Sequence, residues 1–464
     1  MRTFKQLASE PMRVVDTAWL RMDSTENLMV INGLLLFEDP ISREEFRSVL
    51  EDRLLAQHKR FRQRPVKQGN QYVWEELSAV DMDYHLTSLE GLDDATEAEM
   101  RAAISKLVPQ PLDPDKPLWR FFFIPKYKSG NAVVVKVHHS YADGIALISV
   151  LDSIADKSVL HSSPAAKFKL PQRKPRSGAL LHKLEFAATS AAFYTGFSLA
   201  WFYEAMRVIL ARPDSKTAYK CKLSANKQVG WAPSLPVEDV KQVGKAMGCT
   251  VNDVILGCVA GSLRRYLERT GQPVDGVHLR ATVPVNLRPL EEALELGNRF
   301  GLVYLSLPVG EPTIERRIRA VRKNMASLKS GMQAVMSYHV LGILGFFPKT
   351  VEKFFLDFFS SKASAVMTNV PGPSEPVYLK GKKLSKPMFW VPQSGAIGIG
   401  VSILSYDNKV EFGFVADAAL IPDPQAMIDD FIDEFAAIKR QVLGVSSPAS
   451  GQLSQAKAKV PTVS

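Results

Sequence analysis

Apolar and polar positions change period along this chain, and the changes mark elements. "LMVINGLLLFED" (28–39) is a nearly unbroken apolar run of strand length bounded by acidic residues, which predicts a strand. Behind Ser42, "SREEFRSVLEDRLLAQ" repeats its apolar residues at helical spacing, and the serine hydroxyl is a natural N-cap. "WRFFFIPKYKSGNAVVVKVHH" reads as two β-rich runs around a Lys-Ser-Gly-Asn turn, hence an antiparallel hairpin. The second run passes through "SYADG" into a helical pattern carried by Leu147, Val150, Leu151 and Ile154. No internal repeat of fixed period is visible.

Residues 162–178, "SSPAAKFKLPQRKPRSG", are rich in Pro, Ser and basic side chains and read as a linker. The expected organisation is a first half over 1–161, a basic linker with an aromatic helix over 162–215, a second half over 216–443 and a disordered tail over 444–464. The aromatic helix is "FAATSAAFYTGFSLAWFY", an uncharged run in which Phe186, Phe193, Phe197 and Trp201 recur at spacings of seven, four and four. An inter-domain helix packed on the core, an interfacial helix on lipid and a short membrane span all fit it. In "VLGILGFFPKTVEKFFLDFFSS", Phe354, Phe355, Phe358 and Phe359 share one helical face, with Lys349, Lys353 and Asp357 elsewhere on the wheel. Two aromatic amphipathic segments favour contact with a lipid surface.

Composition narrows the picture. At 464 residues the chain is too long for one core, and 46% hydrophobic with 23% charged residues is ordinary for a globular protein. The net charge of +10 and pI near 9.3 point to an anionic partner: nucleic acid, a membrane surface or a phosphorylated small molecule. No helix-turn-helix, zinc-finger or RNA-recognition signature accompanies the charge, so nucleic acid is set aside. Cys221, Cys249 and Cys258 form no CxxC pair, which argues against disulfides and structural zinc and favours a reducing cytoplasm. The opening "MRTFKQLASEPMRVVD" has no apolar h-region, so an intracellular protein is expected.

The candidate chemistry lies in "HHSYADG". Neighbours on a strand face opposite ways, so of His138 and His139 one is available for reaction and the other packs. Asp143 stands where the helix begins, as an N-cap or a functional acid, with Gly144 easing the turn. A metal site is not expected, because adjacent histidines diverge and no HExxH or third ligand is near. No GxSxG elbow offers a covalent nucleophile, which leaves direct transfer, with a histidine taking the proton of an alcohol as it attacks an activated acyl group. Thr250 to Asp253 has capping-box spacing, so Asp253 satisfies backbone donors, while the Asn252 amide is of the type that serves an oxyanion. Trp119 reads by default as an ordinary core aromatic.

"HHSYADG" resembles the HHxxxDG motif of the coenzyme A-dependent acyltransferase superfamily. Taken with "PLDPDKPLWR", "TVNDVILGCVAGSLRRYL", "VPVNLR", "GNRFG" and "TNVPGP", the chain is similar along nearly its whole length to bacterial wax ester synthase/acyl-CoA:diacylglycerol acyltransferases. At "EFGFVAD" it departs from the DFGWG of plant-type relatives. The resemblance implies an α/β (mixed α+β) fold of two chloramphenicol-acetyltransferase-like domains, each with a mixed sheet, and a tunnel at their interface. It implies His139 as general base, Asp143 as an orienting partner, and His138, Gly144, Asn252 and Asp253 in support. Pro117, Leu118 and Trp119 would bind substrate. Acyl-CoA would be the donor, a long-chain alcohol or diacylglycerol the acceptor, and no cofactor or metal is required. The basic clusters "HKRFRQRPVK" and "KFKLPQRKPR" would meet coenzyme A phosphates or lipid headgroups, or be solvated faces. The expected location is cytoplasmic, peripheral to the inner membrane face and to lipid inclusions. Two other readings stay open: a superfamily member with a different alcohol acceptor or a carrier-protein donor, and a non-catalytic lipid-surface protein.

Overall fold

The computed structural model describes residues 9–69, 71–157, 206, 210, 213–288, 296–329, 333–344 and 349–444. The linker, the aromatic run from Phe186 to Tyr203 and the tail beyond Gly444 lie outside these residues.

Strand Val30–Phe37 and the hairpin of Trp119–Tyr127 and Gly130–His138 form where the apolar runs place them. Strands Val30–Phe37 and Gly130–His138 are covered on both faces, which is why their sequences are almost continuously apolar and do not alternate. They are central in a six-stranded sheet ordered Tyr378–Leu379, Lys382–Trp390, Val30–Phe37, Gly130–His138, Trp119–Tyr127, Leu86–Ser88. All its pairs are antiparallel except Leu86–Ser88 with Trp119–Tyr127. Helix Arg43–Val49 follows the first of these strands behind a Ser42–Glu45 capping box.

The other main sheet has seven strands, and its path runs Phe300–Leu307, Leu279–Asn286, Ala365–Pro371, Ile399–Tyr406, Lys409–Asp417, Lys227–Trp231, with Leu235–Pro236 also paired to Lys409–Asp417. It is mixed, since Ala365–Pro371 runs parallel to both its neighbours. Helix Val251–Arg269 crosses it, with Val254, Ile255, Val259 and Leu263 buried in the core of this half.

The halves are not sequential blocks. Strands Tyr378–Leu379 and Lys382–Trp390 lie within 216–443, yet they complete the first sheet, with Met388 opposite Leu34 and Trp390 opposite Asn32. The cluster "HKRFRQRPVK" is also differently employed than expected. Arg60, Arg62 and Arg64 pair with Glu10 (3.0 Å), Glu76 (3.0 Å) and Glu75 (2.8 Å) around a small sheet of Ser9–Pro11, Gln63–Gln68 and Gln71–Glu76. These guanidinium groups bind the protein's own carboxylates.

Candidate active site

Strand Gly130–His138 ends at the histidine pair, and its last hydrogen bonds hold both residues by their backbones. His138 N–H donates to the Leu118 carbonyl (2.9 Å), and His139 N–H to the Met29 carbonyl (2.7 Å). The two rings then diverge. His138 is buried, with Nδ1 2.8 Å from Ser140 Oγ and Nε2 3.3 Å from Asp23 Oδ2. His139 lies on the wall of a cavity of about 970 Å³ that both halves line. From the first half come Trp19, Asp143, Gly144 and Ile148; from the second come Thr282, Phe300, Leu302 and Val370. The lining is largely apolar.

Asp143 caps helix Gly144–Ser153, its Oδ1 accepting the Ala146 N–H at 2.9 Å. It also receives both terminal nitrogens of the buried Arg288 (2.9 and 3.4 Å) and the Arg299 backbone N–H (3.2 Å). Cap and ion pair thus use one carboxylate to join the motif to the loop after strand Leu279–Asn286. Gly144 begins the helix against the cavity wall, where a Cβ would meet Val370 Cγ2 at 3.1 Å.

The contacts that orient His139 come from residues the sequence reading did not single out. Gly297 bridges in parallel to Ala142 and takes φ +108°, a backbone conformation glycine adopts readily. That loop lays Asn298 beside the imidazole, with Asn298 Oδ1 2.8 Å from His139 Nδ1. Asn298 Nδ2 donates to the His139 carbonyl and to Asp16 Oδ1, both at 2.8 Å. Carbonyl and carboxylate oxygens are acceptors, so they commit the amide nitrogen and turn Oδ1 toward the ring. Nδ1 therefore carries the proton, and Nε2 is the basic nitrogen that His139 offers to the cavity. Trp19 stacks on the imidazole, with centroids 4.4 Å apart and planes at 17°.

Burial dominates the electrostatics. It lowers the His139 pKa to about 4, against the attraction of Asp143, the ring's bond to its own backbone carbonyl and its bond to Asn298, so the imidazole is neutral at physiological pH. Burial likewise raises Asp16 to about 6, although the Asn298 bonds and the charges of Arg60 and Arg13 oppose the rise.

Other expected site residues sit elsewhere. Trp119 is fully buried in the first core, stacked on His85 at 3.9 Å, with Nε1–H donating to the Phe61 carbonyl. Neither it nor Pro117 nor Leu118 lines the cavity. Leu118 instead braces the motif, donating its N–H to Tyr141 Oη at 2.8 Å and accepting from His138. A bulky aromatic beside a motif in sequence has its side chain aimed by strand parity, here into the core.

Asp253 completes a capping box with Thr250 (2.8 and 3.2 Å) at the start of helix Val251–Arg269. Asn252 accepts from Asn369 Nδ2 at 2.9 Å; Asn369 lines the cavity and Asn252 does not. Neither of the pair reaches His139. Asp16, Trp19, Asn298 and Arg288 were partly legible: "GNRFG" and "VPVNLR" held two of them, and Asp16 is an acid among apolar neighbours on a short helix, three residues before Trp19.

The chain is similar to known proteins along most of its length. The model for the wax ester synthase/diacylglycerol acyltransferase catalytic domain matches residues 12–255, and that for the WS/DGAT C-terminal domain matches 296–439. The chain is 27% identical over 438 residues to the probable diacyglycerol O-acyltransferase tgs2 of Mycobacterium tuberculosis, covering 89% of this chain and 95% of that one. It is 24% identical over 445 residues to tgs1 of the same organism, covering 92% and 96%. Among solved structures, the wax ester synthase/diacylglycerol acyltransferase from Marinobacter aquaeolei VT8 superposes with a TM-score of 0.66 at 20% identity, over 94% of this chain and 100% of that one. The first condensation domain of the calcium-dependent antibiotic synthetase gives 0.61 at 15% identity, over 94% and 98%. At these identities the superpositions establish the fold.

Proposed function

The chain belongs to the wax ester synthase/diacylglycerol acyltransferase family and is an O-acyltransferase, and from that premise we propose that it moves a fatty acyl group from acyl-CoA to a long-chain alcohol or to diacylglycerol, with His139 as general base. The observation that carries the reading is an imidazole with Nδ1 engaged and Nε2 without a hydrogen-bond partner among the described residues, on the wall of a large apolar cavity shared by the two halves.

The acceptor hydroxyl attacks the thioester carbonyl carbon while its proton passes to His139 Nε2. The C–S bond of the resulting tetrahedral intermediate then breaks, and the departing thiolate takes the proton from the imidazolium, leaving coenzyme A as thiol and the base restored. A positioned base contributes about 10²- to 10⁴-fold to such a step, with alignment of the reactants in the cavity supplying more. The step calls for no cofactor or metal.

The test is release of coenzyme A thiol from palmitoyl-CoA with hexadecanol or dipalmitoylglycerol as acceptor. Acceptor-dependent release that His139→Ala lowers by two orders of magnitude or more supports the reading, and the acceptor ratio names the main product. Equal release by the variant would sink the base assignment. Dependence on a carrier-bound donor would replace acyl-CoA.

A cytoplasmic enzyme with these substrates works at a lipid surface, and we place it peripherally on the inner membrane face and on lipid inclusions. Helix Lys349–Ser360 supports this: Phe354 is 67% exposed and Phe355 36%, while Leu356 and Phe359 of the same helix line the cavity. Among the described residues no single helix is long and apolar enough to cross a membrane. Phe354→Ser with Phe355→Ser is expected to lower flotation with phosphatidylglycerol-containing vesicles; unchanged flotation would assign the contact to another surface.

A further inference from the structure

We infer that Asp16 and Asn298 form a relay that positions His139: Asn298 holds the proton on Nδ1, and the Asp16 carboxylate orients and polarises Asn298. The inference rests on the reading of His139 as general base.

The HHxxxDG aspartate is occupied elsewhere. Asp143 spends its oxygens on Ala146, Arg288 and Arg299, and among the described residues no carboxylate bonds the imidazole directly. The carboxylate that reaches the ring through hydrogen bonds is Asp16, by way of one amide. Its Oδ1 accepts from Asn298 twice, from the backbone N–H at 3.2 Å and from Nδ2 at 2.8 Å. Asp16 is 2% exposed and Asn298 is likewise buried, so bulk water does not screen the chain of bonds.

Three elements separated in sequence supply the parts. Helix Val14–Arg21 carries Asp16 and, one turn later, Trp19 stacked on the imidazole. The loop before strand Phe300–Leu307 brings Asn298, and the motif brings His139. Ring plane and the side-chain hydrogen bond on Nδ1 are therefore set from outside the motif, and they add to the ring's bond to its own backbone carbonyl. When Nε2 takes the acceptor proton, the new positive charge strengthens Nδ1–H donation to Asn298 Oδ1, and the negative charge on Asp16 stabilises that polarisation. No proton moves to Asn298 or Asp16. Both are positioning residues that act through His139, as outer partners do for other imidazoles that must keep one nitrogen free.

The experiment is a double-mutant cycle on the full chain, with octanoyl-CoA and 1-octanol as a soluble pair so that lipid binding does not enter. Asn298→Ala and Asp16→Asn are each expected to lower kcat, about 10- to 100-fold for the first, with KM little changed. The double variant should be no slower than Asn298→Ala alone, because Asp16 acts only through Asn298. In Asp16→Asn the acid limb of the kcat profile should move to lower pH, since the wild type loses the Asp16 charge near pH 6 while the variant keeps only the imidazole's own titration near 4. Losses that multiply, a loss confined to KM, or wild-type kcat in either single variant would overturn the relay. If His139→Ala is inactive while the relay variants are silent, the relay alone fails; if His139→Ala is fully active, the base reading fails first. Should Asn298→Ala not fold, the kcat and acid limb of Asp16→Asn carry the test, and ¹⁵N-histidine NMR of the wild type, assigned against His139→Ala, adds a necessary condition. A protonated Nδ1 with bare Nε2 is expected, and the opposite tautomer would overturn the proposal.

Discussion

A histidine on a cavity wall becomes a usable base when something holds one nitrogen and leaves the other free. Burial lowers His139 to about 4 and raises Asp16 to about 6, and the two shifts act oppositely on stability. Between about pH 4 and 6.5 the unfolded chain protonates this histidine and the folded chain does not, so stability rises with pH there. From 3.8 to about 6 the folded chain holds the Asp16 proton longer than the unfolded one, so stability falls as pH rises, by roughly 3 kcal/mol in all. At pH 7 that cost is fully present. Asp16→Asn removes it while retaining an acceptor for Asn298, so the variant should be at least as stable as wild type at pH 7 though slower in turnover. Denaturant titration at pH 4.5 and 7 checks this, and a variant destabilised more at pH 7 than at pH 4.5 would contradict it.

Elements join by caps and by close approach. Ser42, Thr96 and Thr250 each open a helix with a capping box, a pattern the first and third segments announce in sequence. Asp253 belongs to that class through its bonds with Thr250, while Asn252 bonds Asn369 on the cavity wall. Thr250→Ala should therefore cost about 1 kcal/mol in a thermal or denaturant melt and leave kcat near wild type. A large loss of kcat with stability intact would return this pair to the catalytic machinery. The active-site loop differs in kind, because Gly297 at φ +108° and the Arg288–Asp143 pair hold Asn298 in place without regular secondary structure.

At the scale of the molecule the two halves depend on each other. Strand Lys382–Trp390 covers the edge of Val30–Phe37, and Asn298 and Arg288 from the second half complete the site around His139 and Asp143. A fragment of residues 1–215 would leave Val30–Phe37 as a long apolar edge open to pairing with other chains. It should aggregate when expressed alone and become soluble on co-expression with the remainder, read by size-exclusion chromatography. A monomeric, folded fragment would show that the exchanged strand is dispensable.

Sequence alone determined much of this. The buried strands, the hairpin and the capped helices are governed by local periodicity and cap chemistry, so they are legible from neighbours in the chain. The HHSYADG motif was legible for the same reason, since strand, turn and helix start are contiguous, and it led to the family. What only the tertiary structure decided involves partners far apart in sequence. That Lys382–Trp390 pairs in the first sheet depends on an edge offered some 350 residues earlier, and an apolar strand pattern does not name its partner. That Trp119 packs in the core follows from which face of its strand meets His85. That Asn298 and Asp16 stand behind His139 depends on a loop and a helix converging across 282 positions of separation, with hydrogen-bond geometry that exists only once the halves have closed around the cavity.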